Sequence, residues 1–140
     1  MRTMLKWLGL LLIAVLLLIQ LIPYGHDHTN PPGGQPIAWD SPRTEQLMTD
    51  ACMDCHSNLT EWPWYSNIAP ISWLVQQDVE DGRDEMNLST GGADVSEMIE
   101  KIQDGSMPPW QYKPTHPGAR LSDQEKDELI RGIEATFGGG

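Results

Sequence analysis

Cys52-Met53-Asp54-Cys55-His56 decides the reading of this chain. Cys-x-x-Cys-His is the attachment pattern of a c-type haem. The spacing follows from the chemistry: two thiols add across the two vinyl groups of one porphyrin edge, and the adjoining imidazole comes to lie under the iron. Cys52 and Cys55 are the only cysteines in the 140 residues, so the pattern uses the whole thiol supply. A thioredoxin-like dithiol wants a strand-helix-strand context, which is missing around residue 52. A structural disulfide would not need His56, and a zinc site would want a second pair of ligands. One covalent haem c is the reading that uses every residue of the stretch.

The residues upstream agree on compartment. Arg2 and Lys6 are the only charges before an apolar run from Trp7 to Ile22, broken only by Gln20. About 17 to 25 apolar residues cross a bilayer. Residues 1–22 therefore read as a single transmembrane anchor with its N-terminus in the cytoplasm and Trp7 at the interface. A cleaved signal peptide is the alternative, but Gln20-Leu21-Ile22-Pro23 offers no small-residue cleavage pattern. Residues 23–36 are rich in Pro and Gly, without a periodic apolar face, and read as a tether. His26 and His28 within it read as solvated rather than as metal ligands. Residues 37–140 then form one small domain outside the bacterial cytoplasmic membrane, in the periplasm or its equivalent.

Beyond Pro23 the chain carries 20 acidic residues against 7 Lys and Arg, a net −13. Such a field makes nucleic acid and anionic membrane surfaces poor partners. It suits a basic patch on another redox protein or membrane redox complex, although acidity also serves solubility.

Helical signals fill the domain. Ser41 caps a first helix with Pro42 at its first position. Leu47, Met48, Ala51, Cys52 and Cys55 recur at three- and four-residue steps, which places the thiols on a buried stripe. A second helix is expected from Pro70 to Asp81, with Ile71, Leu74, Val75 and Val79 inward and Gly82 as its stop. A third begins at the cap Asp94, with Val95, Met98, Ile99 and Ile102 on one face, and ends at Gly105. A fourth opens on the capping box Ser122–Glu125, buries Leu129, Ile130, Ile133 and Phe137, and ends in Gly138–Gly140. No stretch alternates with period two. The fold class is all-α, a helical domain around one haem.

With His56 as the proximal ligand, Met107 and His116 are the candidates for the distal position. Met107 lies in Ser106-Met107-Pro108-Pro109, where prolines stiffen a loop off any helical stripe. His116 lies in another Pro-bounded loop. Met–His ligation raises the reduction potential relative to two histidines. Met48, Met86 and Met98 read as core filler. Trp62, Trp64, Tyr65, Trp73, Trp110 and Tyr112 are dense enough either to wall a porphyrin or simply to build a small core. Arg83 and Arg120 are candidate partners for the haem propionates, each more at home on the surface when taken singly.

The stretches Cys52–Asn58, Trp62-Pro63-Trp64-Tyr65-Ser66, Ala69-Pro70-Ile71-Ser72-Trp73, Gly105–Pro109 and His116–Ser122 closely resemble, in order, a family of small bacterial haem-binding-domain proteins. Its members look like membrane-anchored monohaem c-type cytochromes. The resemblance covers nearly all of the chain beyond the anchor. It implies haem on Cys52 and Cys55, His56 as proximal ligand and a fold similar to cytochrome c. Thr90-Gly91-Gly92 departs from the family, which often carries a Trp there; this touches packing between the second and third helices. The resulting expectation is an electron-transfer protein rather than an enzyme. Two alternatives stand beside it: a haem enzyme or ligand sensor with an exchangeable sixth site, and a structural or assembly subunit whose haem stabilises the fold.

Overall fold

The computed structural model describes residues 1–138, and all regular structure in them is helical. Gly139 and Gly140, expected in the terminal tail, lie outside the described residues. Helix α1 (Arg2–Ile19) has 18 residues, none buried, and is long and apolar enough to cross a membrane.

Ser41 opens α2 (Pro42–Met48) as expected, its Oγ accepting the Thr44 N–H at 3.2 Å. The chain then passes through a five-residue π-helical turn, Thr49–Met53, into one α-helical turn, α3 (Asp54–His56). A π turn inserts a residue into the helical repeat and shifts the facing of the residues beyond it. Met53 consequently joins Leu47 and Met48 in the core, while Cys52 and Cys55 are only partly buried. The π turn interrupts the three- and four-residue spacing of the stripe, yet Cys52 still packs against the core.

Helix α4 (Ile71–Glu85) departs most from expectation. It does not stop at Gly82 but runs one turn further. Its buried face is Ser72, Gln76, Val79 and Gly82, whereas Ile71 and Leu74 are 46% and 60% exposed. The reason is tight packing. A side chain at Gly82 would meet the Cys55 carbonyl oxygen at 2.7 Å, and one at Gly25 would meet the Ser72 backbone. Close approach selects small residues for the inner face and turns the large apolar ones outward.

Helices α5 (Val95–Gln103) and α6 (Asp123–Phe137) form as their caps dictate. Asp94 accepts the Glu97 N–H at 3.0 Å, and Ser122 with Glu125 makes the reciprocal capping box. Gly105, at φ +78°, turns the chain after α5 in a conformation that glycine adopts without strain. Leu47, Met48, Met53, Leu88, Met98, Ile102, Leu129 and Ile133 make one core between α2, α5 and α6.

The Pro/Gly segment has no helix or strand, but it is fastened to the domain rather than free. Asn58 donates to the Pro32 carbonyl, Asn30 donates to the Thr60 carbonyl, and His28 stacks on Trp62 with ring centres 4.6 Å apart. Gln20, just beyond α1, holds both the N–H and the carbonyl of Ala69, each at 2.9 Å.

Candidate functional site

The turn at α3 puts Cys52, Cys55 and His56 on the wall of a cavity of about 630 Å³. That volume lies within the range of cofactor pockets. Helices α4 and α5 and the loop after Gly105 supply the other walls. Ala51, Met86, Met98 and Ile102 provide apolar lining. Asp81, Glu85, Asp94 and Glu97, all solvent-exposed, ring the mouth.

Local hydrogen bonds fix each residue of the motif. His56 Nδ1–H donates to the Met86 carbonyl at 3.2 Å. This bond sets the tautomer and leaves the Nε2 lone pair as the ligating position, the usual arrangement for a metal-bound histidine. The His56 carbonyl accepts the Leu88 N–H at 2.9 Å. Asp54, between the two cysteines, accepts the Tyr112 hydroxyl at 2.7 Å and the Glu61 N–H at 2.9 Å. Ser57 Oγ donates to the Met53 carbonyl at 2.6 Å, and the Asn58 N–H donates to Ser89 Oγ at 2.9 Å.

The thiols are not paired in a disulfide. Burial pushes both Cys52 and Cys55 up to about 12; at Cys55 the Asp78 and Asp54 carboxylates add to the effect. A redox-active dithiol needs the opposite shift, because the thiolate is the nucleophile. Burial also raises the Asp78 carboxyl, against a lowering by its hydrogen bond with Gln111. Desolvation, with the bond to Asp54 second, raises the Tyr112 phenol.

Met107 lines the same cavity as His56. Its N–H donates to the Lys101 carbonyl at 3.0 Å, which ties the loop to the end of α5. His116 is not part of that wall. It stacks on Tyr112 with centres 3.6 Å apart and 7° between planes, its Nδ1–H on the Tyr112 carbonyl at 3.0 Å. Its Nε2 stands 3.9 Å from Asp54.

Of the six aromatic residues considered as a porphyrin wall, Tyr112 alone lines the cavity. Trp62 is engaged with His28 and Asn30, Tyr65 donates to Thr115, and Trp64 and Trp110 are 75% and 81% exposed. The aromatic density serves other surfaces. Arg83 and Arg120 are likewise elsewhere. Arg83 binds the Ser57 carbonyl, Asn30 and Thr60, and Arg120 binds the carbonyls of Lys113 and Pro114. Lys101 is the cationic side chain of the wall.

Lys101, Met86, Met98 and Gln111 are not legible as site residues in the sequence. Only the α4 series Asp78, Asp81, Gly82, Glu85 carries a signal, as a polar stripe with a glycine at its centre. Among the described residues no group of three or more His, Cys, Asp or Glu could hold a metal ion by itself.

The donor set fits a haem: two thiols, an oriented imidazole and a thioether line one largely apolar cavity. Residues 14–135 match the family model described as a haem-binding domain. A search of the curated proteins and of the solved structures finds no match.

Proposed function

The chain belongs to the haem-binding domain family, and on that premise we propose that it is a membrane-anchored monohaem c-type cytochrome that carries electrons. One observation supports this most: Cys52, Cys55, His56 and Met107 all line a single cavity of about 630 Å³. Cys52 and Cys55 would each form one thioether, the thiol proton passing to the former vinyl group. The haem supplies a one-electron iron couple when bound.

The chain's own residues set the conditions for that couple. The Met86 carbonyl orients His56 and strengthens its ring as a donor. Met107 is the better distal ligand because it faces the cavity, whereas His116 is held behind Tyr112. A haem held by His56 and Met107 would favour the reduced state relative to one held by two histidines. Met98 and Ile102 exclude water from the deep side, being 7% and 4% exposed. Lys101, the cationic side chain of the wall, would pair with a propionate of the bound haem.

The acidic mouth suits a partner with a basic docking patch, since complementary fields speed encounter. Helix α1 acts as a retained anchor that leaves the domain on the outer face of the cytoplasmic membrane. The residue just beyond its last turn supports this reading, because Gln20 is bonded to Ala69 in the folded domain.

The test is denaturing extraction of the matured protein with acid acetone, followed by a potentiometric titration. Haem that stays with the wild-type chain but is extracted from Cys52→Ala/Cys55→Ala, with a reversible one-electron wave, is the expected result. Haem that leaves the wild-type chain freely refutes covalent attachment.

A further inference from the structure

We propose that the face built by the 3₁₀ turn Trp64–Asn67 and the first turns of α4 lies against the lipid headgroup layer of the bilayer that α1 spans. The proposal rests on the reading of α1 as a retained anchor.

Three independent observations carry it. The first is attachment. Gln20 follows directly on α1 and grips the backbone of Ala69 from both sides, at 2.9 Å each. Tyr24 donates to Glu80 at 3.1 Å, and Gly25 is buried against Ser72. These contacts hold the start of α4 beside the point where the chain leaves α1.

The second is exposure. Trp64, Ile68, Ile71 and Leu74 are 75%, 46%, 46% and 60% exposed. They surround the Gln20–Ala69 contact in sequence and share the segment that the 3₁₀ turn and α4 build. An apolar patch of this kind on an otherwise strongly charged domain marks a contact surface. A Trp at a membrane boundary has its apolar body and N–H both accommodated.

The third is charge. From Trp62 to Gln77 the sequence has no Asp, Glu, Lys or Arg, in a chain with 29 of them. The domain beyond the anchor has a net −13, and bacterial lipid is itself anionic in part. The single surface that approaches lipid must then be the one without carboxylates, and this segment is free of them.

The consequence is a fixed presentation of the haem cavity. Ile71, Leu74, Asp78, Asp81 and Glu85 lie on one stripe of α4. Its lower part meets lipid and its upper part, from Asp78 on, walls the cavity. The cavity wall begins about 10 Å along the helix from Ile71. Partners reach the cavity mouth from a constant height above the membrane.

The test uses the full haem-loaded chain in nanodiscs of phosphatidylethanolamine and phosphatidylglycerol containing a nickel-chelating lipid. Each relaxation value is the difference between discs with and without the nickel, so that the haem's own contribution cancels. A nitroxide is placed at Leu74→Cys or, as control, at Glu134→Cys on α6, which packs on α2 and α5. Intact mass confirms that α1 is retained and that one label is attached. The expected result is relaxation several-fold stronger at Leu74→Cys than at Glu134→Cys, lost when Trp64→Glu and Ile71→Glu are added with the visible spectrum unchanged. Equal, weak relaxation at both positions in an intact, membrane-bound chain overturns the apposition and leaves the anchor standing. Protein that lacks α1 when purified from cell membranes overturns the anchor, and the proposal with it. Enhanced relaxation at Leu74→Cys that needs native membrane and vanishes in pure lipid means that another protein covers the face, which also overturns it.

Discussion

Gly82→Ala tests the packing beneath the haem motif through the sign of its effect. In a helix with solvent on that side, Ala is better than Gly by about 1 kcal/mol. At Gly82 the new Cβ would lie 2.7 Å from the Cys55 carbonyl oxygen, 2.8 Å from Cys55 Cβ and 3.0 Å from its carbonyl carbon. Comfortable carbon contacts begin near about 3.5 Å, so α4 and α3 must part by roughly half an ångström or more. Two of the three atoms are backbone and cannot rotate aside. Overpacking of this kind costs about 1–3 kcal/mol. Set against the propensity gain, the variant is destabilised by about 1 kcal/mol, reaching about 2 at the upper end. For a domain near 100 residues that lowers Tm by about 4–8 °C per kcal/mol. Thermal unfolding of the matured protein, followed by far-ultraviolet circular dichroism, measures it. The visible spectrum should shift as well, because the same displacement strains the bond from His56 to the Met86 carbonyl at the C-terminus of α4. A variant more stable by about 1 kcal/mol, with an unchanged spectrum, refutes the close approach.

Other perturbations probe separate parts. Leu129→Ala empties a position that is 0% exposed in the core and should cost about 2–5 kcal/mol in urea unfolding. Lys101→Met removes the cation of the cavity wall and should lower the reduction potential, because positive charge nearby favours the ferrous state; an unchanged potential sinks its proposed contact with a propionate. The Asp78 carboxyl is raised by burial, so the folded chain holds that proton more tightly than the unfolded chain. The stability this contributes is present at low pH and is lost as pH rises from about 4, the usual carboxylate value, through the raised one. The potential should fall over the same window as the new negative charge favours ferric iron, and Asp78→Asn should flatten both slopes in a pH series.

Local signals are legible in the sequence. Ser41, Asp94 and Ser122 cap the helices they are expected to cap, since capping depends only on residues within one turn. The motif Cys52–His56 is legible because covalent chemistry fixes its spacing. The orientation of α4 is not. Its apolar residues suggest an inward Ile71 and Leu74, but the partners on its inner face, Gly25 and the Cys55 backbone, are distant in sequence and demand small residues. The same distance hides the cavity's other walls: Lys101 and Gln111 reach it only through the fold. The π turn at Thr49–Met53 re-aims the haem motif in a way that no residue pattern announces. Trp62, Trp64 and Trp110 mislead because aromatic side chains serve exposed surfaces, contacts such as that of Trp62 with His28, and cofactor pockets alike.

The central claim is a six-coordinate iron held between His56 and Met107 in the cavity. The direct measurement is the visible spectrum of the haem-matured protein, oxidised and reduced, with and without carbon monoxide, for wild type, Met107→Ala and His116→Ala. The account predicts a low-spin c-type spectrum indifferent to carbon monoxide, with the sulfur-to-iron band lost in Met107→Ala alone. A high-spin wild-type spectrum, ready carbon monoxide binding, or loss of low-spin character in His116→Ala instead would contradict it.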